Sequence, residues 1–154
     1  TNELAALDVA NGNGTVISAS NTLLSMPNTY LIESADTPIW TVSGGMVAKV
    51  IDAPGNQVIH IAKGGKLSLT GSDGHNVVVF DAFQLGDLTV SRSGSTVIFS
   101  DKATPTPHQI ASIAVTSAAP SQTIGFSDGT HVELTLTGTA LALVNSSNVS
   151  TPIL

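Results

Sequence analysis

The chain has no cysteine, which removes disulfides, thiolate chemistry, cysteine zinc sites and iron–sulfur clusters in one step. Basic residues are scarce: five Lys and Arg stand against eleven Asp and Glu, giving a formal net charge of −6 and a pI near 4.8. No basic face is available to neutralise a phosphate backbone or an anionic bilayer, which excludes nucleic-acid and membrane-surface partners. Long apolar runs are missing as well. The longest, around 77–80 and 139–144, fall far short of the ~20 residues that span a bilayer, so no membrane insertion is expected. Aromatic residues number one Trp, one Tyr and four Phe, few for the stacking platform of a sugar-cleaving cleft, and Glu3, Glu33 and Glu133 lie far apart in sequence. With no initiator Met and no signal-like stretch at Thr1, the sequence reads as a processed chain or an excised piece.

What is present is a β signature. The 154 residues are 42% hydrophobic, enough for one domain with a core, and carry 18 Ser, 18 Thr and 14 Gly. Apolar residues recur with period two in short runs bounded by Gly, Asn, Asp or Pro, the pattern of half-buried strands. Strands are predicted at 39–42, 46–51, 58–62, 66–70, 76–80, 87–91, 96–99, 109–116, 122–126, 131–136 and 139–144, all rich in Val, Ile, Thr or Phe. The prediction is an all-β chain, a β-sandwich or β-roll built from short hairpins. Residues 1–28 read as an extended N-terminal arm, 29–144 as the domain and 145–154 as a polar C-terminal tail.

Turns punctuate the strands. Asp73-Gly74 and Asp128-Gly129 between alternating runs each predict a hairpin, because Gly supplies the positive φ such turns need. Gly71-Ser72-Asp73-Gly74-His75-Asn76-Val77 and Phe126-Ser127-Asp128-Gly129-Thr130-His131-Val132 echo one another at 55 positions. Ser93-Gly94-Ser95 joins two further runs, and Pro105 and Pro107 predict an exposed extended loop over 102–108. Strand starts recur about every ten residues between Val58 and Thr96, a spacing that rolls, sandwiches and barrels share.

The most informative local motif is the run from Gly71 to Val79, set against the calcium-binding nonapeptide G-G-x-G-x-D-x-U-x. Gly71, Gly74 and Val78 match, while Ser72 and Asn76 replace a Gly and an Asp. Calcium demands six to eight oxygens with carboxylates among them. The candidate ligands are Asp73, Asn76, Asp81 and Asp128, with an ordinary Asp-Gly turn as the competing reading. The four histidines, His60, His75, His108 and His131, show no paired ligand spacing and read as structural or solvent-facing. No acid–base partner can be assigned to a serine from the sequence, and Ser91-Arg92-Ser93-Gly94-Ser95 reads as a Ser-rich turn. Trp40 reads as core or interface, and Asn13, Asn145 and Asn148 open N-x-S/T triplets expected by chance in so Ser- and Thr-rich a chain.

Residues 76–79, 88–97, 110–115, 123–129 and 134–138 together resemble a module of large secreted bacterial proteins: surface-layer proteins, type I-secreted adhesins and relatives of calcium-binding repeat-in-toxin proteins. The stretch they span, 76–138, is about 40% of the chain; the 104–108 loop, the single degenerate nonapeptide and the N-terminal third depart from the family. It implies an extracellular or cell-surface location and a structural or adhesive role, with no part a catalytic signature; calcium is the candidate cofactor on the strength of the degenerate nonapeptide. The expected function is a non-enzymatic secreted protein that self-associates into a surface layer, filament or matrix. Its competitor is a carbohydrate- or calcium-dependent adhesive module that binds cell-surface polysaccharide. The strand-like fragment at Val16 and Ile17, isolated among Asn and Gly, could add to a neighbouring copy's sheet, and Trp40 completes the expected interface.

Overall fold

The computed structural model describes residues 23–24, 29–32, 39–51, 57–70, 75–118 and 120–154. Among them the chain forms two packed mixed sheets, with strands numbered in chain order. Sheet A runs β1 (Leu23–Leu24), β3 (Ile39–Val42), β5 (Val58–Ile61), β7 (Val77–Phe80), β11 (Ser121–Phe126), β12 (His131–Thr137), β13 (Ala140–Asn145) and β14 (Ser150–Ile153). Sheet B runs β2 (Thr29–Ile32), β4 (Val47–Ile51), β6 (Lys66–Thr70), β10 (Gln109–Ala114), β9 (Thr96–Asp101) and β8 (Leu88–Ser93). The fold is an all-β sandwich.

Its N-terminal part is a coiled stack. Successive strands from β1 to β7 alternate between the sheets, so neighbours within a sheet are parallel and one coil apart. Ile39 pairs with Val58 and Val58 with Val77, each 19 positions on; Thr29, Ala48 and Leu67 repeat the interval in sheet B. Parallel pairing needs a long return connection, and here a strand of the opposite sheet supplies it. The hairpin β8–β9 then interrupts the winding. β10 and β11 resume it in parallel against β6 and β7, and β12, β13 and β14 close sheet A with antiparallel pairs.

All eleven expected strands are present, with ends within two residues. Two hairpins form as expected: Asp128-Gly129 joins β11 to β12, and Gly94, with φ of 62°, joins β8 to β9. Asp73-Gly74 lies outside the described residues, and the strands flanking it, β6 and β7, belong to different sheets and do not pair as the expected hairpin. The 55-position echo is likewise not the structural repeat: Val77 stands beside Thr123 of β11, while Val132 lies one strand further on. The tail is no free arm either. Residues 145–154 contain β14, whose Ile153 is buried, and Leu23–Leu24 of the expected N-terminal arm form β1 against β3. The 102–108 loop is exposed and links the antiparallel strands β9 and β10, as its prolines require.

Between the sheets the core is built in rungs. Val42, Ile61, Phe80 and Phe126 align across sheet A, and Ala48, Leu67, Ala111 and Phe99 across sheet B; all eight are buried. The Phe80 ring meets Phe99 across the layers at 5.2 Å between centroids and stacks on Phe126 at 6.0 Å. One rung is polar. Gln57, Asn76 and Gln122 are buried in stacked positions: Asn76 Oδ1 accepts from the Gln57 N–H at 3.1 Å, and Gln122 Oε1 from the Asn76 N–H at 2.7 Å. These amides satisfy backbone donors at the entries to β5 and β7 that the ladder leaves over. Asn76→Ala strands the Gln57 N–H in the interior and should cost about 1–3 kcal/mol, read as a lower urea midpoint at unchanged slope.

Candidate functional site

Sequence-nominated residues distribute unevenly over this frame. Asp73, Val16 and Ile17 lie outside the described residues. Trp40 sits in β3, paired with Ile59. Asn76 is fully buried in the amide rung at the start of β7, its oxygen engaged by Gln57. Asp81 follows the other end of β7 and faces His60, with Oδ1 2.7 Å from Nδ1. Four strand residues separate the two, roughly 15 Å of chain, too far for one ion. Asp128 lies at the same end of sheet A as Asp81, because Phe80 pairs with Phe126. Its Oδ1 accepts from the Thr130 hydroxyl at 2.6 Å and the Thr130 N–H at 3.0 Å, and these bonds hold its carboxyl below the usual range. Among the described residues no three His, Asp or Glu side chains converge as a metal site.

Three of the four histidines find an acidic partner. Besides His60, His108 Nδ1 is 3.1 Å from Asp101 Oδ2, and Asp101 Oδ1 accepts from the His108 and Ala103 N–H groups. The backbone donation from His108 is the main cause that lowers the Asp101 carboxyl, aided by Ala103 and the His108 ring against partial desolvation. That cluster closes the proline loop at its base.

The third pairing assembles the richest chemistry. In β11 the buried Gln122 and Ile124 alternate with half-buried Ser121 and Thr123, so the two hydroxyls face outward from sheet A. Glu133 of β12 stands directly opposite Thr123 on the same face. On the other side, Val77 pairs with Thr123 in parallel, which brings His75, two residues earlier, level with Ser121. The imidazole spans both hydroxyls: Nδ1 is 3.0 Å from Ser121 Oγ and Nε2 is 2.7 Å from Thr123 Oγ1. Thr123 Oγ1 donates to Glu133 Oε1 at 2.6 Å, and Glu133 Oε2 lies 3.7 Å from His75 Nε2. The His75 and Glu133 side chains are 42% and 38% exposed, so solvent and small molecules reach the cluster.

Proton directions follow from the inventory of donors. Thr123 has a single hydroxyl hydrogen and gives it to the carboxylate, so toward His75 its oxygen accepts. His75 Nε2 therefore carries its N–H. In the neutral ring Nδ1 is then an acceptor and takes the Ser121 hydroxyl hydrogen. The sequence hid this site because Ser121 and Glu133 lie 46 and 58 positions from His75 and meet it only through the β7–β11 and β11–β12 ladders. No family model, curated protein or solved structure matches the chain.

Proposed function

We propose that the chain is a non-enzymatic, extracellular structural protein that self-associates into a layer, filament or matrix by joining sheet edges. The observation that carries this reading is the contrast between the strands at the two C-terminal edges. In sheet A, the Asn145 N–H donates to the Val149 carbonyl at 3.1 Å, which fixes the alternation of the β13–β14 ladder. Leu141 and Leu143 then pair by hydrogen bonds with Ile153 and Thr151, and Pro152 falls on the opposite phase. Its nitrogen faces the open side and has no hydrogen to offer, so this edge is blunted.

Sheet B has no such protection at β8, its outermost strand among the described residues. The two-residue turn at Gly94-Ser95 closes on the Ser93–Thr96 pair, so the N–H groups of Val90 and Arg92 point away from β9. Beside the strand runs an apolar groove of about 490 Å3 whose walls include Leu85, Leu88, Val90, Leu143 and Ile153, with exposed Val149 and Leu154 at its rim. Two copies of β8 paired antiparallel about a two-fold axis would continue sheet B and bring both grooves together in a closed dimer, the unit that further contacts would extend into a layer or filament. The Ser- and Thr-rich, cysteine-free composition supports the extracellular part of the reading.

Light scattering on the purified chain, with millimolar calcium and with chelator, tests the proposal. Particles larger than the 15.6 kDa chain are expected, and their loss in chelator would add calcium as the linker. In the double variant Thr89→Lys, Ser91→Lys, four lysines would meet across the paired edge. Like charges directly opposite oppose pairing, and the mass should fall to one chain. A wild-type monomer under both conditions ends the reading.

A further inference from the structure

We propose that Ser121 is an activated hydroxyl that takes an acyl group from activated esters, with His75 as its general base. The inference is independent of self-association, because β11 is interior to sheet A whereas β8 is the edge strand of sheet B. A serine hydroxyl is a weak nucleophile until a base within about 2.6–3.2 Å removes its proton, and the base works best when a third group fixes its ring. Here the base distance is 3.0 Å. The third group is the Thr123 hydroxyl, itself locked by its donation to Glu133. The ring is held at both nitrogens, with the acceptor nitrogen aimed at Ser121.

Exposure of the ring and the outward direction of the hydroxyl let an ester approach from solvent. Ser121 Oγ attacks the ester carbonyl while its proton passes to His75 Nδ1. The new Oγ–carbon bond forms as the carbon–alkoxide bond breaks, and His75 returns the proton to the departing alcohol. The product is one O-acylserine and one free alcohol, with no oxidant or cofactor required. The Thr123 N–H is committed, donating to the Asn76 carbonyl at 2.8 Å. Base activation therefore carries the rate, and the reaction is suited to good leaving groups and to modification of the chain rather than turnover.

The probe is p-nitrophenyl acetate, followed by release of p-nitrophenolate and by peptide mass mapping. One acetyl group on Ser121 is expected, and none in Ser121→Ala. His75→Gln keeps hydrogen-bonding atoms in place and cannot take a proton, so labelling of Ser121 should slow by about 100-fold or more at an unchanged melting temperature. Thr123→Val, which unlocks the ring from Glu133, should slow it by a smaller factor. Acetylation confined to lysines, or equal Ser121 labelling in His75→Gln, would overturn the proposal. A His75→Gln chain that melts with the wild type yet labels slowly separates base catalysis from a structural role.

Discussion

Phe80→Ala should be the most damaging single truncation in the chain. The ring is fully buried and is where the two sheets meet, in contact with Phe99 across the layers and stacked on Phe126 within sheet A. Its removal loses the transfer energy of the side chain and leaves a void that strands cannot close, since the ladders on both sides of β7 fix its position. Phe→Ala losses in such sites run about 3–5 kcal/mol, a large share of the about 5–15 kcal/mol that holds a domain together. Urea unfolding followed by circular dichroism should show the midpoint collapse. A change under about 1 kcal/mol would mean that the layers repack without this ring.

Gly65→Ala should rank second, for the opposite reason: atoms added where none fit. The connection between β3 and β4 stacks on the one between β5 and β6, and the Gly45 N–H donates to the Gly64 carbonyl at 3.0 Å. A Cβ on Gly65 would stand 2.6 Å from the Val42 carbonyl oxygen, 3.0 Å from that of Ser43 and 3.2 Å from that of Ala62. All three obstacles are backbone, so the turn itself has to move. Overpacking costs of about 1–3 kcal/mol are the floor here, because the shift also strains the Lys66 N–H bond to the Met46 carbonyl, 2.8 Å long. Gly86→Ala is the control. A Cβ there meets nothing within 4 Å, and its melting temperature should match the wild type within about a degree; equal losses at both positions would show that lost glycine flexibility, rather than crowding, sets the cost.

The strands were legible because one face of each is buried, and burial writes itself as alternation: 58–61, 77–80 and 121–126 all alternate half-buried and buried side chains. Alternation names the face of a strand and says nothing about its neighbour. That is why the division into two sheets and the parallel pairing were not readable. The 19-residue interval rests on sparse cues, such as Gln57-Val58 over Asn76-Val77 and Gly45 over Gly64. Backbone hydrogen bonds propagate the register without requiring like side chains at each level. β14 escaped notice because Pro152 and the surrounding hydroxyls carry a turn's composition, and only Ile153 is buried. Of the nominated ligands, Asn76 was singled out for its oxygen, which the fold uses internally. The relay from Ser121 to Glu133 was invisible because none of its members is unusual alone.

The parallel coils and the antiparallel closure also give the chain a polarity of construction. On the coiled side, one more turn of 19 residues could be spliced in and find the same neighbours above and below, with another amide for the buried rung and another glycine pair for the stacked turns. On the closed side β12, β13 and β14 reverse direction in sequence space as well as in the sheet, and Pro152 ends the pattern. Length in this architecture is therefore set by copy number on the coiled side, and an added coil leaves the antiparallel pairing of β12, β13 and β14 as it is.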